Sequence, residues 1–310
     1  MIKNLETHLL KVPKSQRGTK LVQYLNDQFH LGTSEIKRLL EKRCCFVNGK
    51  LETFASYRLQ GGEEISFSAP SSPEKEQKLQ IDSESILYED SAFLIYNKPA
   101  GYPSAPTEDP KRTNLYQVLN QYLRKRDQTS IWMVHRLDRD TSGVLLFAKR
   151  ANLIESTSDL FRNREIHKSY EALVDGLLKP EQGKIISYLE LKEKDKGWER
   201  WGSTMGRGKY AETDYQVLQY WEKACVVRLF PKTGRIHQLR VHLSEKQHPI
   251  LGDSFYGKHF RCSLNPSRHL LHAKSISFIH PLTQQKIHVE SPLPEDFKQG
   301  IKILSERKLS

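Results

Sequence analysis

The sequence predicts an α+β protein in which a large mixed or antiparallel sheet builds the main domain and a small helix–hairpin module precedes it. Three observations carry that expectation. Beyond about residue 80, strand-like runs outnumber helical ones and do not alternate with them, which disfavours a doubly wound parallel sheet. Residues 69–80, APSSPEKEQKLQ, combine Pro, Ser and charge with almost nothing apolar, the composition of a flexible linker. No period of 20–50 residues repeats, which disfavours a solenoid or propeller. The chain is therefore divided into an N-terminal domain over 1–68, a linker over 69–80 and a larger domain over 81–310, and a length of 310 residues already favours two domains.

In order, Leu21, Val22, Leu25 and Phe29 recur at helical spacing, and after Gly32 the pair Thr33-Ser34 is expected to cap a second helix carrying Ile36, Leu39 and Leu40. That helix sets Lys37, Arg38, Lys42 and Arg43 beside its apolar stripe, so one element offers a core face and a basic face. Asn48-Gly49 is a hairpin signal between two strand-like runs, and GGEEISFSA follows as another strand. After the linker, ILYEDSAFLIYNKPAG reads as strand closed by a Pro-Gly turn. Further strands are expected at 142–149, 168–176, 212–221, 224–230 and 275–280, with helices near 114–126 and 151–163.

Forty-nine Lys and Arg against 37 Asp and Glu leave a net charge of +12, with a mean hydropathy of −0.64. Residues 1–66 carry 11 basic and 7 acidic residues, 67–224 carry 24 of each, and 225–310 carry 14 and 6. A basic excess confined to the two ends points to polyanion-facing surfaces and away from a diffuse solubilising charge. The four cysteines, Cys44, Cys45, Cys225 and Cys262, have no CxxC spacing, which suits a reducing compartment. Neither a secretory signal nor an apolar run of membrane-spanning length is present, so a soluble cytoplasmic protein is expected.

The densest string of chemically useful residues is HRLDRDTSG at 135–143, between strand-like runs. It should be a tight loop presenting Asp138 beside Arg136 and Arg139, and the carboxylate stays ionised if a guanidinium is within reach. By itself such a cluster is more often a surface ion pair than a catalytic site. The second string, PKTGRIHQLRVHL at 231–243, spaces Arg235 and Arg240 five apart, and likewise His237 and His242. Taken as a strand, this spacing sends the members of each pair to opposite faces. A metal at His237 and His242 is disfavoured, because HxxxxH is not a common ligand spacing and no Cys or acid cluster accompanies it.

Seven ordered motifs decide between these readings: ILYEDSAFLIYNKPAG (86–101), HRLDRDTSGVLLFAK (135–149), KSYEALV (168–174), AETDYQVL (211–218), TGRIHQLRVHL (233–243), HPILGDSFYG (248–257) and LLHAKSISFIHP (270–281). Residues 86–282 resemble the catalytic domain of the RluA-type RNA pseudouridine synthases, and residues 15–68 resemble an S4-type RNA-binding domain. The resemblance implies that Asp138 is the catalytic aspartate, Tyr170 the tyrosine stacking near the base and Arg240 the arginine paired with the aspartate. It further implies that Arg136 fills the space of an extruded base, with Arg235 and His237 as neighbours of the site; Arg139, from the same loop as Asp138, is read with them as an RNA-binding candidate. Ile236, Gln247 and the run YPSAPTEDP depart from the family pattern, which bears on the choice of RNA and not on the reaction.

The implied reaction breaks the N1–C1′ bond of uridine, turns the uracil and rejoins it through C5. Hydrolytic glycosidases place two carboxylates at such a bond; here one suffices, because uracil leaves as a stabilised anion and no water is activated. Attack of Asp138 on C1′ and abstraction of the C2′ proton both require the ionised form, and the sequence does not choose between them. Leu137 and Val144 are expected to wall the site against water. No cofactor is needed. Large-subunit ribosomal RNA is the expected substrate, with transfer RNA as the alternative, and the chain is read as a monomer. A non-catalytic RNA-binding or ribosome-assembly factor and a base-releasing glycosidase are the rival functions. The tail from about 284, with Lys286, Lys298, Lys302, Arg307 and Lys308, is read as a solvated helix in preference to an RNA contact.

Overall fold

The computed structural model describes residues 5–41, 44–70, 79–107, 113–195, 198–257 and 260–306. The chain separates into two compact units, 1–77 and 78–310. The first contains β1 (Leu5–Lys11), α1 (Leu21–Phe29), α2 (Thr33–Glu41), β2 (Cys45–Val47), β3 (Lys50–Leu51) and β4 (Glu64–Pro70), with the strands in the order β1-β4-β2-β3. Leu21, Leu25, Ile36, Leu39, Leu40 and Phe67 are fully buried against one another. Asn48 and Gly49 both have positive φ, the conformation that lets a two-residue turn follow the twist of its strands. Helix α2 begins at Thr33, so Thr33 and Ser34 lie in its first turn and Gly32 supplies the carbonyl bonded by Glu35 and Ile36. Strand β1 carried no signal in the sequence, since this edge strand leaves Leu9 81% exposed and shows no alternation of apolar residues. Strand β4 runs two residues into the expected linker, and residues 71–78 lie outside the described residues.

The second unit contains β5 (Ile86–Glu89), β6 (Phe93–Lys98), α3 (Leu115–Asp127), β7 (Trp132–Met133), β8 (Ser142–Ala148), α4 (Leu153–Arg162), β9 (His167–Asp175), β10 (Gln182–Asp195), β11 (Trp198–Thr204), β12 (Lys209–Tyr220), β13 (Ala224–Pro231), α5 (Gln238–Glu245), β14 (Leu271–Ile279), β15 (Lys286–Glu290) and α6 (Glu295–Glu306). The strands form one mixed sheet in the order β11-β10-β12-β13-β9-β14-β8-β6-β5, with β15 pairing β14 and β7 pairing β8. The pairing of β8 with β14 is parallel, through His272↔Ser142. The long hairpin β10–β11 had not been anticipated.

Alternation along β8 sorts its side chains between two cores. Val144, Leu146 and Ala148 pack with Leu153 of α4, whereas Leu145 and Phe147 pack with Leu115, Leu119 and Leu123 of α3. Leu137 and Tyr170 join the α3 side. Val144, expected as a wall of the site, is therefore on the opposite face from Leu137, and Leu145 is the β8 residue beside it that shares a core with Leu137. Helix α5 buries Leu239 and Leu243 on Ala172, Val174, Tyr215 and Leu229, with Tyr170 half-buried at the seam between that core and the α3 core. The tail is not a wholly solvated helix: β15 extends the sheet, and α6 buries Phe297 and Leu304 against Leu173, Trp221 and Leu270. Lys286, Lys298 and Lys302 are exposed, as expected of them, while Arg307 and Lys308 lie outside the described residues.

Candidate active site

The loop 134–141 is a stretch of backbone whose carbonyls need donors once water is excluded. Lys98, at the end of β6, is 0% exposed, and its Nζ donates to the carbonyls of Pro99 (2.9 Å), Arg139 (2.8 Å) and Thr141 (2.8 Å). Burial pushes this amine down to about 7. Ser104 both donates to Leu137 O and accepts from Leu137 N. From the other side, Arg268 donates to the carbonyls of Asp140 (2.8 Å) and His269 (3.0 Å) while its Nε and Nη2 pair with Asp296. Thr141 Oγ1 bonds His269 Nε2 at 2.9 Å. Two clamped flanks thus hold the loop rigid. The second residue of β8, Gly143, has φ +109°, and a Cβ there would sit 2.2 Å from the carbonyl oxygen of Ala273.

This scaffold presents Asp138, whose side chain is 25% exposed. Arg240 Nη1 donates to its Oδ2 at 3.3 Å, and His237 Nε2 lies 3.9 Å from the same oxygen. Burial alone raises the carboxyl pKa, but the charges of His237, Arg240 and His269 outweigh it and hold Asp138 below its usual range. Of these three, Arg240 is the permanent cation: burial pushes His269 down to about 4, and His237 is also lowered, chiefly by burial. Arg240 is itself oriented by Asp253, which is 1% exposed and takes Nε at 2.7 Å and Nη2 at 2.9 Å in a two-pronged pair. The Asp253 carboxylate also accepts the main-chain N–H groups of Phe255 and Tyr256, both at 3.0 Å. The guanidinium packs 4.9 Å from the Tyr256 ring centroid. Tyr256 in turn accepts from Trp201 N at 3.0 Å and lies 2.8 Å from His237 Nδ1. With the phenolic proton assigned to that Nδ1, the Nε2–H of His237 faces Asp138.

Tyr170 projects from β9 beside this group. Burial first, and then the Asp138 charge, push its hydroxyl well above the usual range, so it stays protonated and can donate but not act as a base. Two other carboxylates near the loop are already engaged, Asp253 by Arg240 and Asp140 by Arg139 at 2.8 Å. Of the three, Asp138 alone has a carboxylate oxygen, Oδ1, with no hydrogen bond among the described residues. Such an arrangement is a preset anion in a walled recess, suited to nucleophilic or basic attack on an electrophilic carbon.

The structure brings together Asp138, Tyr170, Arg240 and His237. Arg136 is exposed on the same loop, and Arg235 is exposed with Nε donating to Tyr210 O at 2.8 Å. Arg139, expected beside Asp138, turns to Asp140 instead. The strand expected at 224–230 ends at Pro231; the run 231–243, whose pairs would have split between faces had it been a strand, becomes helical over Gln238–Glu245. Gln238 through Leu243 are all buried, so no exposed face marks the helical period, and Leu239, Val241 and Leu243 alternate as a strand would. Both ring nitrogens of His242 bond hydroxyls, those of Thr213 and Ser187. In the first unit Lys37 is exposed and Arg38 lies 3.9 Å from Glu35, whereas Lys42 and Arg43 lie outside the described residues. Lys98, Asp253, Tyr256, Arg268 and His269 were not singled out from the sequence. Lys98, Asp253 and Tyr256 stand inside the NKPAG and GDSFYG motifs, which was their available signal; Arg268 and His269 lie just before one.

Residues 92–245 match the family model described as RNA pseudouridylate synthase. Ribosomal large subunit pseudouridine synthase C of Pasteurella multocida (strain Pm70) is 32% identical over 99% of this chain and 97% of its own length. The chain belongs to the RNA pseudouridylate synthase family. Ribosomal large subunit pseudouridine synthase D of Vibrio parahaemolyticus (serotype O3:K6, strain RIMD 2210633) is 31% identical to this synthase over 92% of the chain and 90% of its own length. The human RNA pseudouridylate synthase domain containing 4 structure superposes with a TM-score of 0.60 at 25% identity, covering 72% of this chain and 94% of that one. The protein is accordingly an isomerase of RNA uridine, with the expected α+β sheet domain and a small N-terminal sheet unit consistent with an S4-like region. No helix among the described residues is long and apolar enough to cross a membrane.

Proposed function

We propose that this synthase isomerises uridine in large-subunit ribosomal RNA and that Asp138 performs the reaction. The observation that carries the catalytic assignment is the shared guanidinium of Arg240: one edge is locked on buried Asp253, and the remaining Nη1 reaches the open carboxylate of Asp138. A uridine stacked in a helix cannot present C1′ to a side chain, so the nucleotide is flipped out at a cost of a few kcal/mol. Exposed Arg136, on the loop that carries Asp138, stacks in the vacated place and offsets part of that cost. The ionised Asp138 then attacks C1′ or removes the C2′ proton, and uracil departs as its anion. Tyr170 confines the free base by stacking, and its hydroxyl, kept protonated, donates to the anion while the ring turns. Walls such as Leu137, 6% exposed, and Leu145, 0% exposed, keep water from the sugar carbon and so favour rejoining over hydrolysis.

The ribosomal assignment follows the names of the relatives that match over nearly the whole chain. Arg139, Arg235 and His237 supply RNA contacts around the flipped nucleotide, and Lys37 and Arg38 supply RNA contacts of the N-terminal unit itself. The four cysteines are free and buried, which fits a cytoplasmic site of action. The test is a map of carbodiimide-reactive pseudouridines across total RNA from cells lacking the protein, complemented with the intact chain or with Asp138→Asn. Sites in large-subunit RNA should vanish on deletion and return only with Asp138. Sites in transfer RNA would replace the substrate assignment, restoration by Asp138→Asn would end the catalytic one, and free uracil with an abasic RNA would mean a glycosidase.

A further inference from the structure

Lys168 has no part in the arrangement described above, and its surroundings are those of a cation without a counterion. It stands two residues before Tyr170 on β9, so both side chains leave the same face of the strand, about 6.6 Å apart along it. Its stem is half-buried, and Nζ lies 5.4 Å from the centroid of the Phe161 ring of α4. Its charge reaches His135, three residues ahead of Asp138. Across from it runs the loop before α5, where a Cβ at Gly234 would find Lys168 Nζ at 3.8 Å and no other atom within 4 Å. Gly234 thus sets no side chain against Nζ, where any other residue would place one in van der Waals contact with it. No hydrogen bond or ion pair to Nζ occurs among the described residues, and burial, with no acid to oppose it, pushes the amine down to about 8. A lysine is rarely drawn into a protein without a partner. Packing on one ring recovers only ~0.5–1 kcal/mol, and an uncharged side chain would fill the same space without the desolvation penalty.

Arg235 follows Gly234 and reaches Tyr210 O, and Arg164 directs its charge at the same Tyr210. Arg235 thus stands on the loop that faces Lys168, while the Tyr210 hydroxyl, which feels Arg164, is bonded to Glu212. We propose that Lys168, which faces the side-chain-free Gly234 on the loop that carries Arg235, holds a backbone phosphate of the RNA beside the flipped nucleotide. The proposal rests on the reading of Tyr170 as the residue that stacks the base: two residues of strand is comparable to the distance from a base to its own phosphate. The anion supplies the partner that the protein withholds, and Gly234 sets no side chain against the amine that the anion must reach.

The test uses the full chain, as intact protein, Lys168→Met and Lys168→Arg, binding an in vitro transcript of bacterial large-subunit ribosomal RNA between about 50 and 200 mM salt. Loss of one phosphate contact should make the slope of log K against log salt shallower by roughly 0.7–0.9 in Lys168→Met and leave it unchanged in Lys168→Arg. In the intact protein near pH 8, an N-hydroxysuccinimide ester should acylate Lys168 faster than ordinary lysines, and the transcript should suppress that labelling. A slope within about 0.2 of the intact protein's in folded Lys168→Met, or labelling that RNA leaves unchanged, overturns the proposal. A fall in turnover at unchanged slope overturns it too and reassigns Lys168 to the detached uracil anion. Should Lys168→Met fail to fold, the labelling decides alone. Failure of the Asp138 assignment is read from product formation and leaves the salt slope where it is.

Discussion

Replacing Arg240 by Met should reverse the pH dependence of stability in the sheet unit. In the intact protein burial raises the Asp253 pKa, and the charge and hydrogen bonds of Arg240 more than cancel this, bringing the carboxyl from 3.8 down to about 2. At ~1.36 kcal/mol per pH unit that depression is worth about 2 kcal/mol. Because the folded-state value is the lower one, the stabilisation is fully present above pH 3.8 and is lost as the pH falls towards 2. In Arg240→Met, Asp253 remains 1% exposed with only the N–H groups of Phe255 and Tyr256 as donors, both on Oδ1. Stranding a buried carboxylate in this way costs ~3–5 kcal/mol. The carboxyl limits the loss by taking a proton, so its folded-state pKa rises above the unfolded one, and the variant loses stability as pH rises through that window. Urea unfolding followed by tryptophan fluorescence is the assay, since Trp132, Trp198, Trp201 and Trp221 all lie in the sheet unit. Arg240→Met should be destabilised by several kcal/mol at pH 8 and by distinctly less at pH 5. A loss below about 1 kcal/mol, or equal losses at the two pH values, would refute the view that Arg240 serves chiefly to compensate buried Asp253.

Other outcomes follow from the same geometry. Asp138→Asn should abolish turnover yet change stability by less than about 1 kcal/mol, because the side chain is 25% exposed and has one 3.3 Å contact with Arg240; circular dichroism and urea unfolding check this. Since Asp138 is held below 3.8, it is ionised throughout pH 5–8, and kcat/KM should show no acid limb from it there. An acid limb with an apparent pKa above 5 in the kcat/KM profile of the intact protein would contradict that. Gly143→Ala should lose more than about 3 kcal/mol in a thermal or urea melt, since it combines an unfavourable φ of +109° with a 2.2 Å approach to the Ala273 carbonyl; a loss under about 1 kcal/mol would mean that β8 and β14 move apart freely.

The legible parts of this protein were those whose signal is local. Asn48-Gly49 announced a hairpin because only residues tolerating positive φ make that turn, and β8, β9, β12, β13 and β14 were visible as apolar runs. The loop with Asp138 was visible as a dense polar string between two such runs. Edge strand β1 left no trace because it buries little, and α5 was hidden because every residue from Gln238 to Leu243 is buried. Asp138, Tyr170 and Arg240 could be named from the ordered motifs, but not the reason they act together. Arg136 and Arg139, adjacent to Asp138 in sequence, are not the cations that ionise it; Arg240, 102 residues away, is. That choice depends on where α5 packs, on buried Asp253 turning one edge of the guanidinium inward, and on Lys98 and Arg268 clamping the loop from both flanks. A residue's type and its neighbours in sequence determine what chemistry it can offer. Which charge meets which carboxylate is decided by long-range packing, because the energy of an ion pair depends on separation in space and on burial, and a linear sequence records neither.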